Sequence, residues 1–315
     1  MLNWLRKYLD IKMSEQEYVH IPVLLNESVE VLVSIPDGVY VDVTFGGGGH
    51  TRAILEKLNP EGRVFSFDQD EMALRNKIED NRLTLVWSNF RYLKKYLRYY
   101  KIEKVDGILA DLGVSSFHFD TDVRGFSFQS DYPLDMRMNQ EQELSAEDVL
   151  KTYSEERLAK VFTQYGELTN GHLIAKKWIQ DRKTIRLNGC ASFAEWVSPF
   201  VYGKRNKFLA QLFQALRIEV NQELESLEAF LTQASEVLKP GGKLVVISYH
   251  SLEDRLVKNF IKRGTIDSDN EHSFERQKNR MKALTKDIIV PSINELERNS
   301  RSRSAKMRVG IKLND

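Results

Sequence analysis

The chain has one cysteine, Cys190, in 315 residues. That excludes an intrachain disulfide framework and leaves no set of thiolates for a metal cage, which fits a reducing compartment and a cytoplasmic protein. No run approaches the roughly 18 apolar residues that a membrane span requires. Net charge is also lacking, with 46 basic residues against 45 acidic ones. Any polyanion must therefore be met by local patches and not by the field of the whole chain. Internal repeats and low-complexity tracts are absent. The N-terminal MLNWLRKYLDIKMSE lacks the apolar stretch of a signal peptide. It reads as a frayed helix, or as residues upstream of a start at Met13, with a docking or membrane-surface helix as the alternative.

What is present is alternation. Apolar, β-branched runs at 39–44, 63–68, 83–89 and 105–112 are separated by helical patterns such as 51–58 and 72–81. Strands alternating with helices imply βαβ units and a parallel sheet covered on both faces. The alternation stops after Asp111 and resumes only with the strand KLVVISY at 243–249. The intervening residues are helical, beginning with a capping box at Ser145 and Asp148. Residues 208–238 return to the core, and Pro240-Gly241-Gly242 ends that helix with a glycine free to turn left-handed. A helix follows at 251–263, then a polar loop from about 264 to 285, then a last strand in SAKMRVGIKL. The expected architecture is α/β: a doubly wound, mostly parallel, Rossmann-like sheet with an inserted all-helical domain. Residues 1–122 and 215–315 form the sheet domain, and 123–214 the helical substrate-binding insertion.

The strongest local signal is VDVTFGGGGHTRAIL, where a strand runs through Gly46–Gly49 into a helix. Glycine permits a sharp turn and close approach of a ligand, and a helix N-terminus offers unpaired N–H groups. The dinucleotide fingerprint fails, because its sixth position is Thr51 counted from Gly46 and Arg52 counted from Gly47. No Gly-Lys-Ser/Thr follows either. A glycine turn without the pyrophosphate pattern suits a ligand such as S-adenosylmethionine; the plainer reading is a tight turn without a ligand. Asp68 ends the second strand, where a carboxylate accepts from ribose hydroxyls; Asp70 competes for that role. Phe90, after the third strand, is placed to lie against an adenine, or is an ordinary core residue. Asp111 ends the fourth strand at the edge where open α/β sheets bind ligands.

With these residues and seven ordered blocks, the chain resembles the bacterial and organellar 16S rRNA (cytosine-N4)-methyltransferases. The blocks are TFGGGGHTRAIL, DGILADLGVSS, RGFSF, PLDMRMN, FQALRIEVNQEL, LKPGGKLVVISYHSLEDRLVK and RSRSAKMR. The resemblance implies a class I methyltransferase sheet and S-adenosylmethionine as cofactor, with Gly48, Gly49, His50, Asp68, Phe90, Asp111 and His118 around it. It implies small-subunit ribosomal RNA, or the ribosomal subunit, as partner and the N4 amine of a cytidine as target. His118 falls where family members commonly carry Ser-Ser-Pro-Gln, Gln222 stands where the family often has Asp, and the segment before FQALRI is less basic than usual.

The exocyclic amine of cytosine is a poor nucleophile, so the chemistry needs alignment and an acceptor for its N–H. Asp111, Asp135 and His250 are the candidate catalytic residues. Asp111 is followed by Leu112-Gly113-Val114 and not by the Pro-Pro-aromatic of many amino-methyltransferases. Asp135 and Arg137 together suit a base edge or a phosphate, or form a structural ion pair. His250 serves as a proton shuttle or as a helix cap. Arg137, Arg301, Arg303, Lys306 and Arg308 are the candidate RNA contacts, and no metal is expected. The competing readings are a methyltransferase acting on a non-RNA substrate and an inactive RNA-binding assembly protein.

Overall fold

The computed structural model describes residues 22–114, 122–264 and 280–314; the expectations for residues 1–12 and for His118 fall outside them. The sheet is built from β1 (Val39–Asp42), β2 (Arg63–Asp68), β3 (Leu83–Trp87), β4 (Val105–Asp111), β5 (Leu238–Ser248), β6 (Met281–Ala283) and β7 (Lys306–Lys312). Its order is β3-β2-β1-β4-β5-β7-β6. The first five strands pair in parallel, while β7 runs antiparallel to both β5 and β6. Every residue of β4 from Val105 to Ala110 is buried, as expected of a central parallel strand covered on both sides.

Successive side chains of β4 and β5 feed opposite faces. Ile108, Ala110, Leu244 and Val246 join a core with Phe65, Phe67, Phe230 and Phe260. Leu109, Val245 and Ile247 join a second with Val29, Leu32, Tyr40 and Ile54. The first core is roofed by α3 (Leu93–Tyr99), α9 (Glu223–Val237) and α10 (Ser251–Arg263), and the second by α1 (Leu25–Leu32) and α2 (Gly49–Glu56). From β1 the chain winds outward one way through β2 to β3, and from β4 the other way through β5. The gap beyond the carboxyl ends of β1 and β4 is therefore the topological switch point, where such sheets open a crevice.

Three sequence expectations shift. Residues 72–81 form no α-helix; a 3-10 turn covers Glu71–Asn76 and buries only Ala73, so no apolar face exists to carry a longer helix. The strand expected at 243–249 starts at Leu238. The pairing jumps from Val105–Leu238 to Gly107–Lys243, and Gly241 takes φ +80° in the resulting bulge. The end of the stretch read as a polar loop to 285 holds β6.

A third core lies among α4 (Ala146–Thr152), α5 (Glu155–Lys160), α6 (Gly171–Asp181), α7 (Cys190–Trp196) and α8 (Arg205–Asn221). Trp178, Phe193 and Trp196 pack together there, Phe193 stacked on Trp196 and both edge-to-face with Trp178, with ring centroids 4.9–5.8 Å apart. The capping box is present: the Asp148 N–H donates to Ser145 Oγ at 3.2 Å and the Ser145 N–H to Asp148 Oδ2 at 3.0 Å. Cys190 belongs to this core. Burial pushes its thiol up to about 12, so it is a packing residue and not a nucleophile. The helical core continues through Ala215, Leu216 and Val220, so α8 crosses the 214/215 junction drawn from the sequence without interruption. The helix α11 (Ile293–Arg298) completes the fold, and no described helix is long and apolar enough to cross a membrane.

Candidate active site

The carboxyl ends of β1, β2, β4 and β5 open into a cavity of about 380 Å³. It is lined by Gly46, Gly47, Gly49, His50, Asp68 and Phe90, by Asp111 and Tyr249, and by Met138, Arg217, Asn221, Glu223 and Glu253.

The glycine turn is dictated by geometry. Gly46 and Gly48 take φ +51° and +76°, a region side chains avoid. A Cβ on Gly49 would sit 2.1 Å from Pro22 Cγ. Gly48 turns the chain from behind the wall that the other three glycines form. Asp68 fixes the turn, since Oδ2 accepts the Gly46 N–H at 2.8 Å and Oδ1 the Asp70 N–H at 2.8 Å. Its rival is committed elsewhere: Asp70 caps the 3-10 turn through the Met72 N–H at 3.0 Å and pairs with buried Arg124 at 3.4 Å. Phe90 faces the cavity and rests edge-on against Phe230, 5.5 Å between centroids.

Behind the turn lies a buried polar chain. Thr51 Oγ1 donates to Asp42 Oδ2 at 2.7 Å and lies 2.7 Å from Ser66 Oγ. The Thr44 N–H donates to Asp42 Oδ1 at 3.1 Å, and the Asp111 N–H donates to Thr44 Oγ1 at 2.7 Å. Burial raises Asp42 against the lowering effect of these hydroxyls and amides. On Asp111, Oδ1 accepts the Tyr249 hydroxyl at 2.7 Å and Oδ2 lies 3.8 Å from His50 Nδ1. Burial pushes its carboxyl up to about 6, with His50 and Tyr249 pulling down and Asp42 and Glu253 adding to the rise. His50 Nε2 is 3.1 Å from the Val23 carbonyl, which anchors the ring beneath the turn.

Glu253 behaves oppositely. Burial alone would raise it, but His250, the Tyr249 N–H at 2.9 Å and Arg217 hold its carboxyl below the ordinary value. His250 Nε2 lies 3.2 Å from Glu253 Oε1 while Nδ1 caps α10, so this histidine supports Glu253 and does not line the cavity. Burial in the same way raises the Tyr249 phenol, reinforced by Asp111.

Other expected residues lie elsewhere. Asp135 and Arg137 close on each other at 2.8 and 2.9 Å, and Arg137 also donates to the Gln142 carbonyl at 2.8 Å. Burial acts to raise Asp135, but Arg137 brings it below its usual value. The pair braces the loop that presents Met138, and neither residue reaches the cavity. Arg308 is not on an open phosphate-binding face: its guanidinium grips Asp254 of α10 at 2.7 and 3.1 Å, with Lys306 4.0 Å from the same carboxylate. Arg301 does reach the cavity, and Arg303 is exposed in the same 3-10 turn, Ser300–Ser304. Sequence reasoning missed Asp42, Arg217, Asn221, Glu223, Tyr249 and Glu253. Two signals were available: FQALRIEVNQEL carries charges on an otherwise apolar helix, and YHSLE directly follows the fifth strand.

Residues 17–313 match the family model described as the MraW methylase family. A "Ribosomal RNA small subunit methyltransferase H" of Christiangramia forsetii is 50% identical over 295 residues, covering 93% of this chain and 98% of that protein. The protein of the same description from Bacteroides thetaiotaomicron is 52% identical, covering 93% and 97%. A solved rRNA methylase from Streptococcus thermophilus is similar at 14% identity and a TM-score of 0.37 over 91% of this chain and 92% of that one. At that distance nothing about the site is carried across.

Proposed function

Because the chain belongs to the MraW methylase family, we propose that it transfers a methyl group from S-adenosylmethionine to the N4 amine of a cytidine in small-subunit ribosomal RNA. The observation that carries this reading is the single cavity joining the Asp68-held glycine turn to buried Asp111 at the switch point of the sheet. The donor set suits such a cofactor. A carboxylate stands ready for a diol, a flat ring for a purine, and a buried acid for a positive charge, and the turn has no room for side chains. Bound S-adenosylmethionine supplies an electrophilic methyl carbon on a sulfonium. Gly46, Gly47, Gly49 and His50 hold its methionine part, Asp68 accepts from the ribose hydroxyls, and Phe90 packs on the adenine.

Asp111 receives the proton that the amine gives up as nitrogen gains its methyl group. A carboxyl near pH 6 is ionised at neutral pH yet basic enough to accept. Tyr249 and His50 orient it, and His250 positions Glu253. Arg301 and Arg303 contact RNA phosphates at the mouth, and the helical body at 123–214 forms the wall against which the flipped nucleotide rests. An rRNA substrate places the reaction in the cytoplasm. The test is mass mapping of rRNA from cells lacking the gene: one N4-methylated cytidine should disappear and return with the wild-type gene. An unchanged map, with labelled methyl going to a peptide or metabolite, would assign the chain another substrate.

A further inference from the structure

The wall of the cavity contains a buried ion pair. Arg217 sits on the last turn of α8 and Glu223 opens α9, with Gln222 at φ +49° between them. Nε and Nη2 of Arg217 donate to the two Glu223 oxygens at 2.8 Å each. Both side chains are nearly buried, 13% and 11% exposed. Desolvating two charges offsets most of what their pairing gains, so an ion pair on a cavity wall is better explained by what it does there. Asn221 makes the bracket rigid, donating to the Arg217 and Met136 carbonyls at 2.9 and 2.8 Å and accepting the Met138 N–H at 2.7 Å. The guanidinium's Nη1 makes no hydrogen bond among the described residues. Beside this pair stands Glu253, 3% exposed, tied to Asp111 through Tyr249, whose N–H reaches Glu253 and whose hydroxyl reaches Asp111.

We propose that Arg217, braced by Glu223, and Glu253 form a subsite that reads the hydrogen-bonding edge of an amino-pyrimidine. The assignment rests on the RNA-methyltransferase reading and deepens it. An amino-pyrimidine edge offers one N–H donor group, the exocyclic amine, beside two acceptors, the ring nitrogen N3 and the carbonyl O2. Glu253 is acceptor-only, and its remaining lone pairs take an amine N–H next to Asp111. Arg217 is donor-only, and its uncommitted N–H groups meet N3 and O2. A uracil edge reverses the pattern: its O4 opposes a carboxylate and its N3–H opposes a guanidinium. The site thus rejects the base that has no amine to methylate. Glu223, His250 and Glu253 bring ligand-type atoms within 4.8 Å of one another, but both Glu223 oxygens are held by the guanidinium, so the positive charge of this wall is supplied by the chain itself.

The test uses an rRNA substrate that the wild-type protein methylates and the same RNA with the target cytidine replaced by uridine as competitor. Wild type should prefer the cytidine RNA. Glu253→Gln and Arg217→Lys should each lower that preference about tenfold or more, with S-adenosylmethionine affinity by calorimetry within about twofold of wild type. Glu223→Gln, which keeps the shape of the bracket, should raise KM for RNA more than it lowers kcat. Melting curves identify any variant that has lost its fold, and the subsite is then judged on the others. Folded variants that keep the wild-type preference overturn the subsite and leave the methyltransferase reading standing. A wild-type protein that binds the cofactor yet methylates no rRNA overturns both.

Discussion

The hydroxyl of Tyr249, the residue following β5, donates to Asp111 Oδ1 at the end of β4 at 2.7 Å. This contact ties the two strands at the edge where the cavity opens, and it sets the ionisation of the acid proposed to take the proton. Replacing Tyr249 with Phe removes one influence that lowers Asp111. The acid limb of the methyl-transfer pH profile should move to higher pH, while the fold and cofactor binding persist. A profile that superimposes on wild type would detach Tyr249 from the chemistry.

Asp111 itself carries opposite consequences for activity and stability. In the proposed mechanism transfer requires the ionised carboxylate, so activity should fall as pH drops through about 6. Asp111→Asn should cost roughly 10²–10⁴ in kcat. For stability the sign reverses. A carboxyl raised from 3.8 to about 6 in the folded state favours folding while protonated, and that contribution is lost as pH rises through the folded value. At neutral pH, Asp111→Asn should therefore stabilise the protein by up to about 3 kcal/mol, an advantage that shrinks towards pH 4. Thermal melts at pH 4.5 and 7.5 check the crossover.

Asp68 has two duties, accepting the Gly46 N–H and facing the cavity. Asp68→Ala should weaken S-adenosylmethionine binding by about 10- to 100-fold, in line with loss of a hydrogen bond to a charged group. Isothermal titration measures this directly. Gly49→Ala forces a Cβ into Pro22 and should destabilise by about 1–3 kcal/mol.

The basic tail divides by partner. Arg303→Ala should reduce the salt dependence of RNA binding by about one unit of slope. Arg308→Ala should leave that slope unchanged and instead cost stability, about 1–3 kcal/mol, because Asp254 loses its two hydrogen bonds. Filter binding across a salt series together with melting curves separates the two outcomes.

Local rules made much of this legible beforehand. Strand and helix periods gave the sheet, four glycines gave the turn, and Ser145 with Asp148 gave a helix start. What escaped was set by contacts between distant segments. Arg308 looks like a phosphate ligand until α10 brings Asp254 beside it, and Asp135 with Arg137 looks catalytic until each is seen to satisfy the other. The Arg217 wall of the cavity was illegible for the same reason: Arg217 and Glu253 are 36 residues apart in sequence, and only the packing of α9 against both α8 and α10 puts both on one void. Residues 72–81 misled because, despite their helical composition, the 3-10 turn they form buries only Ala73.

The helix α8 sets Phe208, Leu209 and Leu212 into the helical core and finishes at Arg217 and Asn221 on the cavity wall. At 17 residues it is a strut of about 25 Å, with one end in each compartment and no break along it. A force that tilts the helical body must swing the guanidinium with it. On the proposed reading, the fit of a large, folded substrate against that outer surface is felt at the base pocket, so a misdocked RNA would meet a misaligned Arg217 before any bond is made.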